Sequence, residues 1–213
     1  MRATDSDSVV NAVHVAVEAN GPLRLAVNAA YQAMVGSALA TPPELFAVTV
    51  DSTLTGTYWS LQAEAAAMRE AGGGSIVNIS SVAAARSGRC ESASSASKAG
   101  VDMLTKVLAD EWGQYGIRVN SVLPGLVKTE TAAPLTEDPT TRDGFIRQTP
   151  LARLGETQDI ANGVVFLLSD AAAFITGQCL CIDGGLSLRG LPEPEHGRLL
   201  KSLLSDFFPD GEP

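Results

Sequence analysis

The sequence has few basic residues and no long apolar segment. Its 213 residues include 15 lysines and arginines against 24 aspartates and glutamates, which gives a formal net charge of −9. An acidic chain is repelled by nucleic acid and by anionic lipid, so neither is expected as a partner. The longest apolar stretches, such as residues 160–168, are far shorter than the roughly 20 residues that cross a bilayer. The N-terminus is polar and acidic, unlike a secretory signal, so we expect a cytoplasmic protein without a membrane partner.

Cysteine and histidine are also scarce. The cysteines are Cys90, Cys179 and Cys181. An odd number of thiols, two of them alternating along a predicted strand, argues against a disulfide framework. The two histidines, His14 and His196, do not combine with these thiols at metal-ligand spacing, so no metal site is predicted. We interpret Cys179 and Cys181 as side chains of the protein core.

The hydrophobic pattern that is present indicates one compact α/β domain. Hydrophobic residues make up 45% of the chain and charged residues 18%, which suits a soluble domain with a sizeable core. Helices of 12 or more residues are predicted between the strands, so the sheet should be parallel. Apolar spacing predicts strands over 23–27, 75–80, 117–123 and 178–182, and helices over 6–20, 42–68, 95–112 and 157–169.

The domain is predicted to cover residues 1–190, with a tail over residues 191–213. In the tail, leucine and phenylalanine recur on one face of a short amphipathic helix predicted over residues 195–208. That helix either packs on its own domain or binds a partner. Between the third and fourth strands, residues 130–156 are rich in Thr, Pro and Asp and predict a loop with one or two short helices.

Two stretches carry a pattern of catalytic residues. Residues 75–100 read SIVNISSVAAARSGRCESASSASKAG, and residues 117–129 read IRVNSVLPGLVKT. Both resemble the short-chain dehydrogenase/reductase family, whose signature is a serine, twelve further residues, and then Tyr-x-x-x-Lys. Ser81 and Lys98 stand at the serine and lysine positions, whereas Ser94 stands where the family has its tyrosine.

The resemblance implies both a fold and a site. The fold is a Rossmann-like, doubly wound parallel sheet of about seven strands with helices on both faces. The chemistry is hydride transfer between an alcohol/carbonyl pair and NAD or NADP, in which the tyrosine phenol exchanges the hydroxyl proton. The catalytic positions that it implies here are Thr53, Ser81, Ser94 and Lys98, and the cofactor positions are Asn28, Lys98, Pro124, Gly125 and Thr129.

The chain departs from the family pattern in several places. The first strand, the glycine-rich turn TGxxxGxG and the next strands are expected before Met1, so the sheet should be partial and truncated, with strand 23–27 at an open edge. The one glycine cluster, at residues 72–74, precedes a strand instead of following one. Tyr31 replaces a glycine that lies against the cofactor, and Thr53 replaces an asparagine. A serine hydroxyl is a far weaker acid than a phenol. We therefore expect no useful binding of NAD or NADP and little or no hydride transfer.

Three functions remain open at this point. The chain is an oxidoreductase by descent whose sequence starts too late, or a non-redox enzyme on the same scaffold, or a pseudoenzyme that pairs with an intact relative. The non-redox enzyme would use Ser81, Lys98 and Tyr31 for proton transfer in a dehydration, isomerisation or cyclisation, with Tyr31 replacing the lost phenol. The substrate is not identified by the sequence.

A homodimer or homotetramer is expected from the two long helices at 43–70 and 95–112. In the family these helices pair with their symmetry mates across a two-fold axis. A stripe of mostly small side chains on the second helix supports this pairing. The stripe consists of Ala96, Ala99, Gly100, Met103 and Val107, with Leu104 and Leu108 beside it.

Overall fold

Four parallel strands form the sheet in the part of the chain that the structure describes. The structure is a computed structural model and describes residues 4–32 and 35–189. Along the chain and across the sheet, the strands are β1 (Leu25–Asn28), β2 (Gly74–Ile79), β3 (Ile117–Pro124) and β4 (Cys179–Ile182). The predicted parallel α/β sheet is therefore confirmed. The tail predicted over 191–213 lies outside the described residues.

Helices connect each strand to the next. The described helices of four or more residues are α1 (Ser6–Asn20), α2 (Pro43–Val50), α3 (Gly56–Glu70), α4 (Ser92–Trp112), α5 (Ala133–Thr136), α6 (Pro139–Gln148) and α7 (Thr157–Leu168). The helix predicted over 42–68 is continuous but contains a π-helical turn, Asp51–Thr55, between α2 and α3. The predicted loop at 130–156 contains the two short helices α5 and α6, as expected.

The core has two parts, one on each face of the sheet. On one face, Ile76 and Val119 pack against α3 and α4. On the other face, Val77 and Val122 pack against Val164 and Leu167 of α7. Successive residues of a strand point to opposite faces, so β2 and β3 are buried on both sides. Helices on both faces make this a doubly wound, Rossmann-like arrangement.

The edge strand β1 is covered on one face only. Val27 pairs in register with Val77, so both side chains point to the face that α7 covers. The helix α7 packs against β2, β3 and β4. Val77 is fully buried, but Val27 is 45% exposed and Leu25, on the same face of β1, is 56% exposed. Strand β1 therefore presents apolar side chains to solvent within the described structure.

Two details of the predicted packing are wrong. Leu108 was expected beside the apolar stripe of α4, but it lies in the core between α4 and the sheet, and Leu104 packs partly against the same core. Four residues turn α4 by slightly more than one full turn, so Leu104 and Leu108 share the sheet-facing side with Val101. Cys181 was expected in the core but is exposed, because β4 is the other edge of the described sheet.

Candidate active site

The predicted site residues gather at the carboxyl ends of the strands. Asn28 is the last residue of β1, Ser81 follows β2 by two residues, and Pro124 ends β3. Open parallel sheets bind their ligands at this edge. The helix α4 begins beside the same edge and contributes Ser94 and Lys98, which are one turn apart and lie on one face of the helix.

Three side chains from two separate segments meet at this edge. Tyr31, in the loop after β1, places its phenol oxygen 2.8 Å from Ser94 Oγ, and either hydroxyl can be the donor. The ammonium nitrogen of Lys98 lies 4.9 Å from the centroid of the Tyr31 ring. That nitrogen also donates a hydrogen bond to the carbonyl oxygen of Ile79 at 2.6 Å. The structure thus joins Ser94, which stands at the family's tyrosine position, to a tyrosine from another segment of the chain.

The environment of Lys98 lowers the pKa of its ammonium group. Burial lowers the pKa of Lys98 from 10.5 to about 8, while the carboxylate of Asp102, one turn further along α4, acts in the opposite direction. Burial also raises the pKa of Asp102, and the hydroxyl of Ser121 donates a hydrogen bond to its Oδ1 at 2.9 Å, which acts against that rise. Lys98 therefore changes charge near pH 8 and can serve in proton transfer as well as in binding.

Ser81 lines a cavity at the carboxyl edge of the sheet. Its Oγ accepts a hydrogen bond from the backbone N–H of Ala83 at 3.1 Å, a local contact. The cavity has a volume of about 370 Å³, and its other lining residues include Arg86, Glu91 and Phe145. A cavity of this size suits a small molecule. Ser81 therefore lies in the wall of a cavity, and its role in catalysis stays a prediction.

Thr53 lies in the π-helical turn and is fully buried. Its Oγ1 has no hydrogen-bond partner among the residues of 4–32 and 35–189, whereas its carbonyl oxygen accepts a hydrogen bond from Thr57 Oγ1 at 2.6 Å. Turns of this kind often occur at functional sites, and a buried unpaired hydroxyl is uncommon. The position predicted from the family's asparagine therefore still carries an available polar group.

Asn28 is engaged in a network that the sequence interpretation did not include. Its amide nitrogen donates hydrogen bonds to Glu64 Oε2 at 3.0 Å and to Asn78 Oδ1 at 3.1 Å. Burial raises the pKa of Glu64 from 4.5 to about 7, although the hydrogen bond from Asn28 lowers it. Glu64 stands among Leu61, Ala65 and Met68 on the buried side of α3. The spacing of three or four residues between those apolar positions is the sequence signal that could have predicted the burial of Glu64.

The remaining predicted cofactor residues have local structural contacts. Gly125 N–H donates a hydrogen bond to the carbonyl oxygen of Ile182 at 3.3 Å, and a Cβ at Gly125 would approach the backbone of Asp183 to 3.1 Å. Thr129 Oγ1 accepts a hydrogen bond from the backbone N–H of Ala132 at 3.2 Å. These contacts explain both residue types without a ligand and leave their role in cofactor binding a prediction.

The glycine cluster before β2 allows its turn to pack closely against the backbone of Gly116. A Cβ at Gly73 would come within 2.7 Å of the carbonyl oxygen of Gly116, so the two turns that lead into β2 and β3 approach too closely for a side chain. No turn with the TGxxxGxG pattern follows a strand in the described residues. With the Tyr31 ring against Lys98, these residues fit a dinucleotide only in part, on its nicotinamide side.

The described residues contain neither a metal-binding group of side chains nor a membrane-spanning helix. No group of three or more His, Cys, Asp or Glu side chains in that part of the chain is placed to hold a metal ion. None of the helices described there has the length and apolar character needed to span a membrane.

The fold and the serine and lysine at its carboxyl edge define a class of Rossmann-like oxidoreductases, and comparison with known proteins supports this class. A family model described as enoyl-(acyl carrier protein) reductase matches residues 2–187. An L-rhamnose 1-dehydrogenase (NAD(P)(+)) from Azotobacter vinelandii is 40% identical over 185 residues, which are 86% of this chain and 72% of that protein. The chain belongs to the short-chain dehydrogenase/reductase family.

Other similar proteins agree with this assignment. A galactitol 2-dehydrogenase (L-tagatose-forming) from Cereibacter sphaeroides is 36% identical, with 87% of this chain and 73% of that protein covered. A short-chain type dehydrogenase/reductase from Mycobacterium ulcerans has a similar structure, with a TM-score of 0.86, 37% identity, and coverage of 98% of this chain and 74% of that chain. A gluconate 5-dehydrogenase from Burkholderia cenocepacia, solved with NADP and tartrate, has a TM-score of 0.86 and 29% identity over 89% of this chain and 74% of that chain.

Proposed function

We propose that the protein is an oxidoreductase by descent whose site acts on a hydroxyl or carbonyl group of a small substrate in the cytoplasm. We further propose that the 213-residue chain is strongly impaired in hydride transfer. The observation that carries this proposal is the arrangement of Ser94, Tyr31 and Lys98. The family position of the phenol holds a serine, and another aromatic ring lies against the lysine ammonium.

The implied cofactor is NAD or NADP, since the relatives named above include an NAD(P)(+)-dependent dehydrogenase and a complex with NADP. When bound, a nicotinamide supplies or accepts the hydride. Lys98, Pro124, Gly125 and Thr129 would lie on its side of the site. The Tyr31 ring takes up space beside Lys98, and the described residues contain no turn of the TGxxxGxG pattern for the rest of the dinucleotide. Weak binding of either dinucleotide is therefore expected.

The proposed substrates are small hydroxylated molecules. The cavity of about 370 Å³ beside Ser81 contains both cationic and anionic side chains, Arg86 and Glu91. The names of similar proteins include a sugar, a sugar alcohol and a hydroxycyclohexanecarboxylate. A polar cavity of this size is compatible with such molecules.

Calorimetric titration with oxidised and reduced NAD and NADP tests the cofactor proposal. We expect no saturable binding at micromolar concentrations. With L-rhamnose or galactitol and millimolar dinucleotide, turnover should be lower than that of the Azotobacter enzyme by a factor of at least about 10². Micromolar affinity, or turnover equal to that of the relative, would contradict the proposal.

A second candidate function is non-redox proton transfer, which the contact between Tyr31 and Ser94 favours. Two hydroxyls and an ammonium group at the carboxyl edge of the sheet can move a proton without any cofactor. The test is deuterium exchange into the α-carbon of a small hydroxyketone in D₂O, followed by NMR without dinucleotide. Exchange above the rate of the Lys98→Met variant would support this function, and equal rates would exclude it for that substrate class.

We also propose that the chain forms a homodimer or homotetramer through α2 and α4, either for its own activity or as a pseudoenzyme beside an intact relative. Met103 is 58% and Val107 44% exposed on α4, and Phe46 is 41% exposed on α2, which packs against α4. These side chains face away from the sheet. Light scattering should report a multiple of 22.1 kDa, and Met103→Glu should reduce it. A monomer in both proteins would contradict the proposal.

A further inference from the structure

We propose that Tyr31 is the catalytic residue that exchanges a proton with the substrate oxygen, so that the loop after β1 provides the phenol that position 94 lacks. Ser94 and Lys98 act as positioning residues for it. The inference rests on the proposed function only for the identity of the substrate oxygen. The geometry of the three side chains and the pattern of the two substitutions carry the rest.

The two substitutions compensate each other in volume. At position 31 the family has a glycine and this chain has a tyrosine, and at position 94 the family has the tyrosine and this chain has a serine. One phenol and one small residue are therefore kept, but exchanged between two segments. In the structure these positions are in contact, with the Tyr31 phenol oxygen 2.8 Å from Ser94 Oγ. Two independent losses would not be expected to produce a direct hydrogen bond.

A hydroxyl, an ammonium group and a helix N-terminus lie close to the Tyr31 phenol. Ser94 can donate a hydrogen bond to that oxygen, and the Lys98 ammonium lies 4.9 Å from the ring centroid. Ser94 is in the first turn of α4, which begins at Ser92, and the N-terminal end of a helix carries a partial positive charge. A cation, a hydrogen-bond donor and a helix N-terminus each stabilise the ionised form of a phenol.

Access to solvent distinguishes Tyr31 from Ser94. Tyr31 is 46% exposed, whereas Ser94 is 5% and Lys98 5% exposed. A substrate can therefore reach the tyrosine but not the serine below it. This difference assigns the proton exchange to Tyr31 and leaves the buried serine to hold the phenol in place.

The proposed step is a balanced proton transfer. As negative charge develops on the substrate oxygen, the O–H bond of Tyr31 breaks and an O–H bond forms on the substrate. The phenolate that remains is held by Ser94 Oγ–H and by the charge of Lys98, and it regains its proton from solvent through its exposed side. In the opposite direction, the phenolate removes the proton of a substrate hydroxyl.

Nitration by tetranitromethane tests the chemistry of the phenol without any cofactor, because the reagent attacks the phenolate. The sites are separated by peptide mass spectrometry. Tyr115 is the matched internal control, since it is 40% exposed and also lies near a cation, with the Arg69 guanidinium 5.2 Å from its ring centroid. We expect Tyr31 to react faster than Tyr115. Lys98→Met should slow the nitration of Tyr31 by at least about threefold and leave that of Tyr115 unchanged.

Lys98→Arg controls for folding, because it keeps the positive charge in a long side chain. Ser94→Ala should also slow the nitration of Tyr31. If Tyr31 reacts no faster than Tyr115, or reacts equally fast in the wild-type, Lys98→Met and Ser94→Ala proteins, the inference is overturned. These outcomes do not depend on dinucleotide binding, so they remain decisive if the proposed oxidoreductase activity is absent.

Turnover at millimolar dinucleotide, or the deuterium exchange described above, gives the second test. Tyr31→Phe should lower kcat by a factor of about 10² or more and leave KM nearly unchanged, whereas Tyr115→Phe should change neither. Ser94→Tyr alone should give no gain, because the Tyr31 ring already occupies the adjacent space. The double variant Tyr31→Gly with Ser94→Tyr should have a higher kcat than the single variant Ser94→Tyr. Full activity of Tyr31→Phe would overturn the inference.

Discussion

The half of the sheet under α7, which consists of β2, β3 and β4, and the half around β1 bury the same kind of side chain to very different extents. Val77 of β2 and Val27 of β1 are partners in register on one face, yet Val77 is fully buried under α7 and Val27 is 45% exposed. Tyr31 and Thr53, two departures from the family pattern, lie in the segments that follow β1, and a third, Ser94, lies on α4. The half around β1 is therefore both the less covered part of the described sheet and the part next to two of these departures.

Leucine truncation at matched positions is expected to show the largest difference between these halves. Leu167 of α7 is 1% exposed and packs on Val77 and Val122, whereas Leu25 of β1 is 56% exposed. Leu167→Ala should lower the free energy of unfolding by about 2–5 kcal/mol, because it leaves a cavity. Leu25→Ala should lower it by less than about 1 kcal/mol. Urea denaturation measures both, and equal losses would mean that β1 is covered in solution.

Glu64→Gln should stabilise the half around β1 by up to about 3 kcal/mol at pH 8. The pKa of Glu64 is raised to about 7 in the folded chain, so the folded state holds this proton more tightly than the unfolded state. Stability from this group is fully present below about pH 4.5 and is lost as the pH rises to about 7. The variant should remove that loss and have little effect at pH 4.

Exposed Glu70, on the same helix, provides the control for this pH dependence. Glu70→Gln should leave the stability profile between pH 4 and pH 8 within about 0.5 kcal/mol of the wild type. Chemical denaturation at several pH values measures all three proteins. A profile of Glu64→Gln that runs parallel to the wild type would show that this carboxyl does not titrate as described.

Substitution of Arg118, in the half under α7, should give the smallest of these changes in the free energy of unfolding. Its guanidinium donates hydrogen bonds to the carbonyl oxygens of Leu167, Leu168, Ser169 and Ile175 at 2.7 to 3.3 Å, which closes the end of α7. Arg118→Met should cost about 2 kcal/mol, because these carbonyl groups lose a charged donor. Arg147→Met, an exposed change on α6, is the control. Thermal unfolding that shifts equally in both variants would contradict this role.

The sequence was sufficient for the elements with a clear hydrophobic pattern. The strand predicted over 117–123 is observed as Ile117–Pro124, because a segment rich in β-branched residues ends at a proline that glycine follows. The strand predicted over 75–80 is Gly74–Ile79, one residue earlier. Such patterns reflect burial on both faces, which local sequence encodes directly.

The site was predictable only where a residue's position follows from its own element. The motif places Ser81 after a strand and Lys98 on the next helix, and they lie after β2 and on α4, while their catalytic role stays a prediction. The direction of the Tyr31 side chain depends on the packing of α4 against a distant loop, so no local pattern contains it. The π-helical turn at Asp51–Thr55 was missed because its apolar spacing differs little from that of an α-helix.

The order of the strands also bears on how the chain acquires its fold during synthesis. Because β1, β2, β3 and β4 are neighbours in the order of the chain, each of the last three strands leaves the ribosome when one of its pairing partners has already been made. Leu25 must wait for Ser75, but no strand must wait for a segment beyond its immediate successor. Assembly can therefore proceed by addition to one growing edge, and a chain that stalls before β4 would present the β3 edge to chaperones.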